Sequence, residues 1–239
     1  MTLYATFPYD CPYLPERTAV SAVYDPNLRV DSATYGELIR YGFRRSGDRL
    51  YRPHCPACRA CESLRLPVAR FRPDRSQRRT WRRNADLTVR VEPAAFHEEH
   101  FALYRRYQQG RHPGGEMDFA DPGEYTRACL ESPVDTRLAT FRDPAGRLLA
   151  VAVTDFLPTG LSAMYTFYDP AEHRRSLGTY AVLWQIAHAR EQGLPHVYLG
   201  YWIRESPKMA YKSRFRPAEV WTGSRWCEPE TAEEFPAEG

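Results

Sequence analysis

Between residues 137 and 168 three stretches of apolar and β-branched residues, 137–141, 148–156 and 162–168, follow each other closely. Only Asp143-Pro144-Ala145-Gly146 and Leu157-Pro158-Thr159-Gly160 join them. Connections this short and this rich in turn formers leave no room for a crossover helix, so the three strands must run antiparallel as a meander. No other stretch narrows the possible folds as much. After the meander the pattern predicts a helix over 176–191 closed by Gly193, a strand over 197–201, a short helix opened by Ser206-Pro207 and a last strand over 219–226. Before it, Phe96, His100, Leu103, Tyr104 and Tyr107 keep helical spacing within 93–109. A Gly114-Gly115 loop and a helix start at Asp121-Pro122-Gly123-Glu124 follow.

The opening third is less regular. Thr34 with Glu37 reads as a capping box for a short helix that Gly42 ends. Segments 43–45 and 49–52 flank the turn formers Ser46-Gly47-Asp48 and predict a hairpin. A strand is expected over 64–71, an arginine-rich helix capped by Asp74 or Ser76 and running to Arg83, and a strand over 87–91. The expectation is an α+β protein in three parts: a small N-terminal cysteine-containing domain (1–92), a second domain with a mainly antiparallel sheet (93–227) and an acidic tail (228–239). A meander followed by strand, helix, strand, helix and strand is the element order of the GCN5-related acyltransferase (GNAT) architecture, although order alone does not fix chemistry.

A chain of 239 residues that is 43% hydrophobic buries a real core. Its longest apolar run, 148–153, is far too short to span a bilayer, and the first residues lack the basic-then-apolar order of a signal peptide. These features point to a cytoplasmic protein without a membrane partner. The formal charge is +3, but the last twelve residues hold five glutamates and no Lys or Arg, leaving the remainder at +8. Seven arginines fall between residues 70 and 83 against the single acid Asp74, which suggests a polyanionic partner; a solvated helix face is the plainer alternative.

Cys55, Cys58 and Cys61 form a C-x2-C-x2-C array, and Cys11 is a candidate fourth thiolate if the N-terminus folds back. Four thiolates suit a tetrahedral zinc ion or an iron-sulfur cluster; a loop of reduced thiols is the other reading. Cys129 and Cys227 fall on apolar positions and read as core. His97 and His100 lack metalloprotease spacing and read as structural. Neither a Ser-His-Asp signature nor a P-loop is visible. The loop 174–179 at a helix start offers free backbone N–H groups to a phosphate. Segment 198–215 is dense in aromatics and cations and holds Lys208 and Lys212, the only lysines in the chain.

Six blocks, "DCPYLPERTA", "GFRRSGDRLYRPHCPACRACESLRLPV", "SQRRTWRRN", "YRRYQQGRHPGGEM", "FYDPAEHRRSLGTY" and "YLGYWIRESPKMAYKSRFRP", resemble the arginyl-tRNA-protein transferase family across nearly the whole chain. The short length is similar to the bacterial branch. The resemblance implies transfer of leucine from leucyl-tRNA to proteins with N-terminal aspartate or glutamate in the N-degron pathway, whereas longer eukaryotic relatives transfer arginine. It also implies that the cysteines belong to the first domain, where eukaryotic relatives are linked to iron-sulfur binding, and that the transfer itself needs no cofactor beyond the aminoacyl-tRNA.

On that reading Tyr168 and Asp169 sit near the reacting ester, and Tyr201 joins them as a catalytic candidate. Arg75, Arg78, Arg79, Arg82 and Arg83 grip the tRNA backbone, with Lys208, Tyr211 and Lys212 at its acceptor end. Arg17 and Arg78 are candidates for the carboxylate of the acidic N-terminal residue. Met164, Phe167 and Trp184 are candidates for an apolar pocket for the leucine side chain. Three rivals stay open: arginyl transfer, a coenzyme-A-dependent acetyltransferase, and a metal-binding RNA-recognition protein without turnover. Oligomeric state is not readable from the sequence.

Overall fold

The computed structural model of the protein describes residues 2–115 and 117–229. The chain opens with strands β1 (Leu3–Ala5), β2 (Tyr9–Asp10), β3 (Thr18–Ala19) and β4 (Ser21–Tyr24), followed by helix α1 (Ser32–Leu38) and a 3-10 turn, Ile39–Tyr41. The cap of α1 is Asp31, whose side chain accepts from the Thr34 N–H, and not Thr34 itself. Gly42 ends the helical segment at φ +81°, as expected of a glycine there. The hairpin β5 (Arg44–Ser46) and β6 (Arg49–Pro53) forms as read, around Gly47. β1, β4, β6 and β5 make a four-stranded sheet, and β2 pairs with β3.

Next come β7 (Glu62–Pro67), α2 (Arg75–Arg83), β8 (Thr88–Pro93), α3 (Glu98–Arg111) and α4 (Pro122–Tyr125), which runs on as a π-helical turn. Asp74 and Gln77 close α2 with a reciprocal capping box. The meander is β9 (Thr136–Arg142), β10 (Leu148–Leu157) and β11 (Gly160–Tyr168), antiparallel throughout. It leads through the 3-10 segment Pro170–Arg175 to α5 (Leu177–Glu191), β12 (His196–Trp202), a second 3-10 segment (Pro207–Arg214), β13 (Glu219–Trp221) and β14 (Trp226–Cys227). The single strand expected over 219–226 is split because Thr222 N–H bonds the Arg225 carbonyl in a turn through Gly223.

The main sheet has eight strands in the order β14-β13-β7-β12-β11-β10-β9-β8. β10 is central and buried on both faces, which explains why its sequence is a nearly unbroken apolar run. On one face Val151, Val153 and Phe167 pack against Leu103 and Tyr104 of α3 and Tyr125 of α4. On the other, Ala150 and Ala152 meet Tyr180 and Ala181 of α5. The main sheet runs across residue 92: β7, before it, lies between β12 and β13, and β8 (Thr88–Pro93) spans it. A strand's partners are set by long-range pairing, which a break in local pattern does not reveal. Of the acidic tail expected over 228–239, residues 230–239 lie outside the described residues.

The two halves are also joined by charge. Arg45 of β5 donates from Nε and Nη2 to both oxygens of Asp155 on β10, at 3.1 and 2.7 Å, with both side chains fully buried. Thr136 adds a 2.6 Å hydrogen bond to the same carboxylate. Burial alone would lower the Arg45 pKa; the Asp155 charge and hydrogen bonds outweigh it and raise the value.

Candidate functional site

Among the described residues β11 and β12 are the one parallel pair of the main sheet, and their ladder joins Leu161 with Val197 and Ser162 with Tyr198. Beyond that point each strand is irregular. The β10–β11 register shifts opposite Met164, and β12 bulges at Gly200, whose φ is +85°. Ladder pairing between the two strands ends there, and we take the space between their carboxyl ends, beside Arg44, Tyr168 and the segment Pro207–Arg214, as the candidate cleft. Backbone N–H and C=O groups beyond the last ladder pair have no partner strand there and are available to a ligand.

The floor of the cleft is charged. Arg44 reaches in from β5, donating to the Ala163 carbonyl at 2.9 Å and to Ser162 Oγ at 3.3 Å. Its guanidinium lies against Gly200, where an added Cβ would come within 3.3 Å of Nη2. Lys212, on the 3-10 segment Pro207–Arg214, is buried and donates to the Tyr201 carbonyl at 2.6 Å. Burial, with Arg44 adding to it, brings the Lys212 pKa down to about 7. The Tyr211 ring is partly exposed; burial raises its hydroxyl pKa against a lowering by nearby Arg44.

Aromatic residues form the wall. Tyr168 packs edge-on against Tyr107 of α3, with centroids 4.9 Å apart, and Tyr165 accepts a 2.7 Å hydrogen bond from Gln108. Tyr107 feels the charge of Arg111 and lies in reach of Tyr211, while His112 has its pKa lowered by burial and by Lys208. Cations from the end of α3 and from the 3-10 segment therefore edge an aromatic cleft.

A second feature is the outer face of α2. Arg75, Arg78, Arg79 and Arg82, at i, i+3, i+4 and i+7, line one open groove, with exposed side chains. The opposite face, Gln77, Thr80 and Asn84, is buried. Gln77 bonds the Arg214 carbonyl and Asn84 the Arg175 carbonyl, so α2 is docked by polar contacts to the ends of both 3-10 segments. Arg83 is turned from the groove to bond the Arg174 carbonyl.

The expected site residues divide accordingly. Tyr168, Tyr211, Lys212 and Lys208 are brought to one cleft. Tyr201 faces elsewhere: its hydroxyl lies 3.1 Å from both the Gly42 and the Tyr51 carbonyls, which share its one proton, bracing the sheet against the N-terminal hairpin. Asp169 caps the 3-10 segment by accepting from the Ala171 N–H and lies 3.9 Å from Arg147. Lys212 is not a surface cation. Arg17 is exposed and rests on Cys58 Sγ, and Arg78 on the Pro73 carbonyl. Met164 and Phe167 share one core layer, but Trp184 lies on the other face of the sheet, stacked on His188 and against Phe141, so the three do not make one pocket. Arg44, Tyr107, Gln108 and Tyr165 were missed. No local signal marked Arg44, because the same hairpin also carries Arg49 and Arg52 and only tertiary packing buries Arg44.

The cysteines gather without forming a metal centre. The Cys61 thiol is pushed up to about 12, first by burial and then by Cys11, Cys55 and Cys58, so the four lie in one neighbourhood. Yet Cys58 Sγ accepts from Arg17 and Cys55 donates to the Val20 carbonyl. Among the described residues no three His, Cys, Asp or Glu side chains converge as metal ligands. The donor chemistry suits zinc or iron-sulfur, but the arrangement does not, because two of the sulfurs are directed to other partners.

The chain is similar to "Arginine-tRNA-protein transferase, N terminus" over residues 9–79 and to "Arginine-tRNA-protein transferase, C terminus" over residues 99–222. Curated relatives include the aspartate/glutamate leucyltransferases of Nitrosococcus oceani (50% identical, covering 93% of this chain and 94% of the relative) and Chromobacterium violaceum (52%, 93% and 92%). That of Pseudomonas fluorescens strain Pf0-1 is 51% identical over 95% of this chain and 96% of its own. With both halves matched and half the residues shared over nearly full length, the chain belongs to the arginine-tRNA-protein transferase family.

Proposed function

We propose that the protein transfers leucine from leucyl-tRNA to the α-amine of proteins that begin with aspartate or glutamate. The observation that carries this reading is the near-full-length similarity to aspartate/glutamate leucyltransferases, and a cleft with an aromatic wall beside a basic helix face is the geometry such a reaction needs. The meander, α5 and the parting of β11 from β12 support a GNAT-like arrangement of the second half. No helix among the described residues is long and apolar enough to cross a membrane, and the proposed substrates fit work in the cytoplasm.

In this reading Arg75, Arg78, Arg79 and Arg82 hold tRNA phosphates, and the terminal aminoacyl-adenosine enters the cleft, where Tyr168 or Tyr107 offers a face for the base. An α-amine with a pKa of about 7.7 to 8.0 is partly neutral near pH 7, so it attacks the ester carbonyl without a strong base. The new C–N bond forms, the ester C–O bond breaks, and the ribose oxygen leaves with the proton released by the amine. The enzyme aligns amine and ester and supplies donors to the oxyanion, with the Tyr211 hydroxyl as the candidate. The new N-terminal leucine then marks the protein for the N-degron pathway. Asp169 and Tyr201 act through structure, as caps and braces.

The test is incubation with labelled leucyl-tRNA or arginyl-tRNA and peptides beginning with Asp, Glu, Lys or Ala. Leucine on the Asp and Glu peptides alone is expected. Arginine in its place changes the donor within the family, and label on no peptide overturns the reading.

A further inference from the structure

Three cations are buried among the described residues: Arg44, Arg45 and Lys212. Arg45 has a fully buried carboxylate partner in Asp155. Among the described residues neither Arg44 nor Lys212 forms an ion pair with any carboxylate, although each is less than a tenth exposed. Half-buried arginines elsewhere follow the usual rule, Arg65 with Glu219 and Arg204 with Glu62. A buried charge without a counter-charge is costly, and two side by side are more so.

Their protein partners are neutral and few. Arg44 uses two of its five N–H donors, on Ser162 Oγ and the Ala163 carbonyl. Lys212 uses one of its three, on the Tyr201 carbonyl. Both sit at the floor of the cleft where β11 and β12 part, delivered there by segments more than 160 residues apart in sequence. They meet at neighbouring residues of β12: the Arg44 guanidinium lies against Gly200 and Lys212 Nζ bonds the carbonyl of Tyr201, and the Arg44 charge adds to the lowering of the Lys212 pKa.

We propose that Arg44 and Lys212 together bind the side-chain carboxylate of the acceptor's first residue, and so select aspartate and glutamate over their amides. The assignment rests on the transferase reading above. A carboxylate supplies the missing counter-charge and accepts the unused donors of both cations. Arg44 and Lys212 are each less than a tenth exposed, which suits one small charged group, whereas phosphates have the open arginine groove of α2. Arg17 and Arg78 lack these features: each is exposed, on a separate element, and able to meet its ligand only in water. Asparagine and glutamine fit the same space but bring no counter-charge to either group, which makes the pair a discriminator as well as a binder.

The test compares peptides beginning with Asp, Asn, Glu and Gln in the wild-type protein, Arg44→Gln, Lys212→Gln and Arg44→Lys. The glutamines keep a neutral donor toward Ala163 and Tyr201, and urea unfolding checks that the variants fold. The expected result is a loss of about 10–100-fold in kcat/KM for Asp and Glu peptides, little change for Asn and Gln peptides, and partial return in Arg44→Lys. An equal loss on all four peptides, or an unchanged acid-to-amide preference, overturns the proposal. Should a variant fail to fold, calorimetric binding of Asp and Asn peptides to the wild-type protein decides, and absence of a preference for Asp overturns it. A wild-type protein that transfers leucine to no peptide refutes the function reading, and the binding preference still tests the carboxylate pair on its own.

Discussion

Asp155→Ala removes the acid that joins the N-terminal hairpin to the central strand of the main sheet. The carboxylate accepts from Arg45 at 3.1 and 2.7 Å and from Thr136 at 2.6 Å, with both charged side chains fully buried. The variant leaves a guanidinium without water or counter-charge, for which the characteristic cost is about 3–5 kcal/mol. For a chain of this size that corresponds to a fall in Tm of roughly 6–20 °C. Arg44 is the next residue along β5, so the same change also loosens the cation on the cleft floor. Urea titration followed by tryptophan fluorescence gives the free energy, with circular dichroism checking that the transitions coincide. Replacing both partners, Arg45→Met with Asp155→Leu, is expected to recover most of the loss, because it removes the unpaired charge rather than the pair's net contribution. A single-variant loss under about 1 kcal/mol, or a double variant as unstable as the single one, refutes the reasoning.

Arg79→Gln with Arg82→Gln is expected to reduce the slope of log affinity for leucyl-tRNA against log salt by about 1.4–1.8, measured by filter binding at several salt concentrations; an unchanged slope removes those two from the phosphate contacts. Lys212 gives a pH signature. A base at about 7 in the folded protein and about 10.4 unfolded binds fewer protons when folded across that window. Wild-type stability therefore rises with pH from 7 toward 10 relative to Lys212→Met. Burial moves the neighbouring Tyr201 and Tyr211 hydroxyls upward, so parallel Tm curves for the two proteins refute the assignment. Tyr201→Phe leaves the Gly42 and Tyr51 carbonyls without this donor and is expected to cost about 1–3 kcal/mol in urea unfolding. Its leucine transfer on Asp peptides should stay within about threefold at saturating substrate, and a larger loss of kcat returns Tyr201 to the chemistry.

What the sequence determined by itself is local. Turn formers at Asp143-Pro144-Ala145-Gly146 and Leu157-Pro158-Thr159-Gly160 dictated the meander, Gly42 and Gly193 ended their helices, and Asp74 with Gln77 opened α2, each through interactions spanning a few residues. The arginine stripe of α2 was legible because helical periodicity alone puts residues 75, 78, 79 and 82 on one face. The cap at Asp31 was misplaced by three residues, since Asp and Thr serve that position almost equally well. Only the tertiary structure decided that β7 stands between β12 and β13 and that β11 and β12 part after Ser162, because strand pairing is a choice among distant partners. It also turned Tyr201 and Asp169 to bracing and capping, separated Trp184 from Phe167 by the thickness of the sheet, and set Arg44 beside Lys212. A sequence shows which residues carry charge; whether a charge is buried, and whether a partner is buried with it, depends on contacts between segments that the chain's local chemistry does not encode.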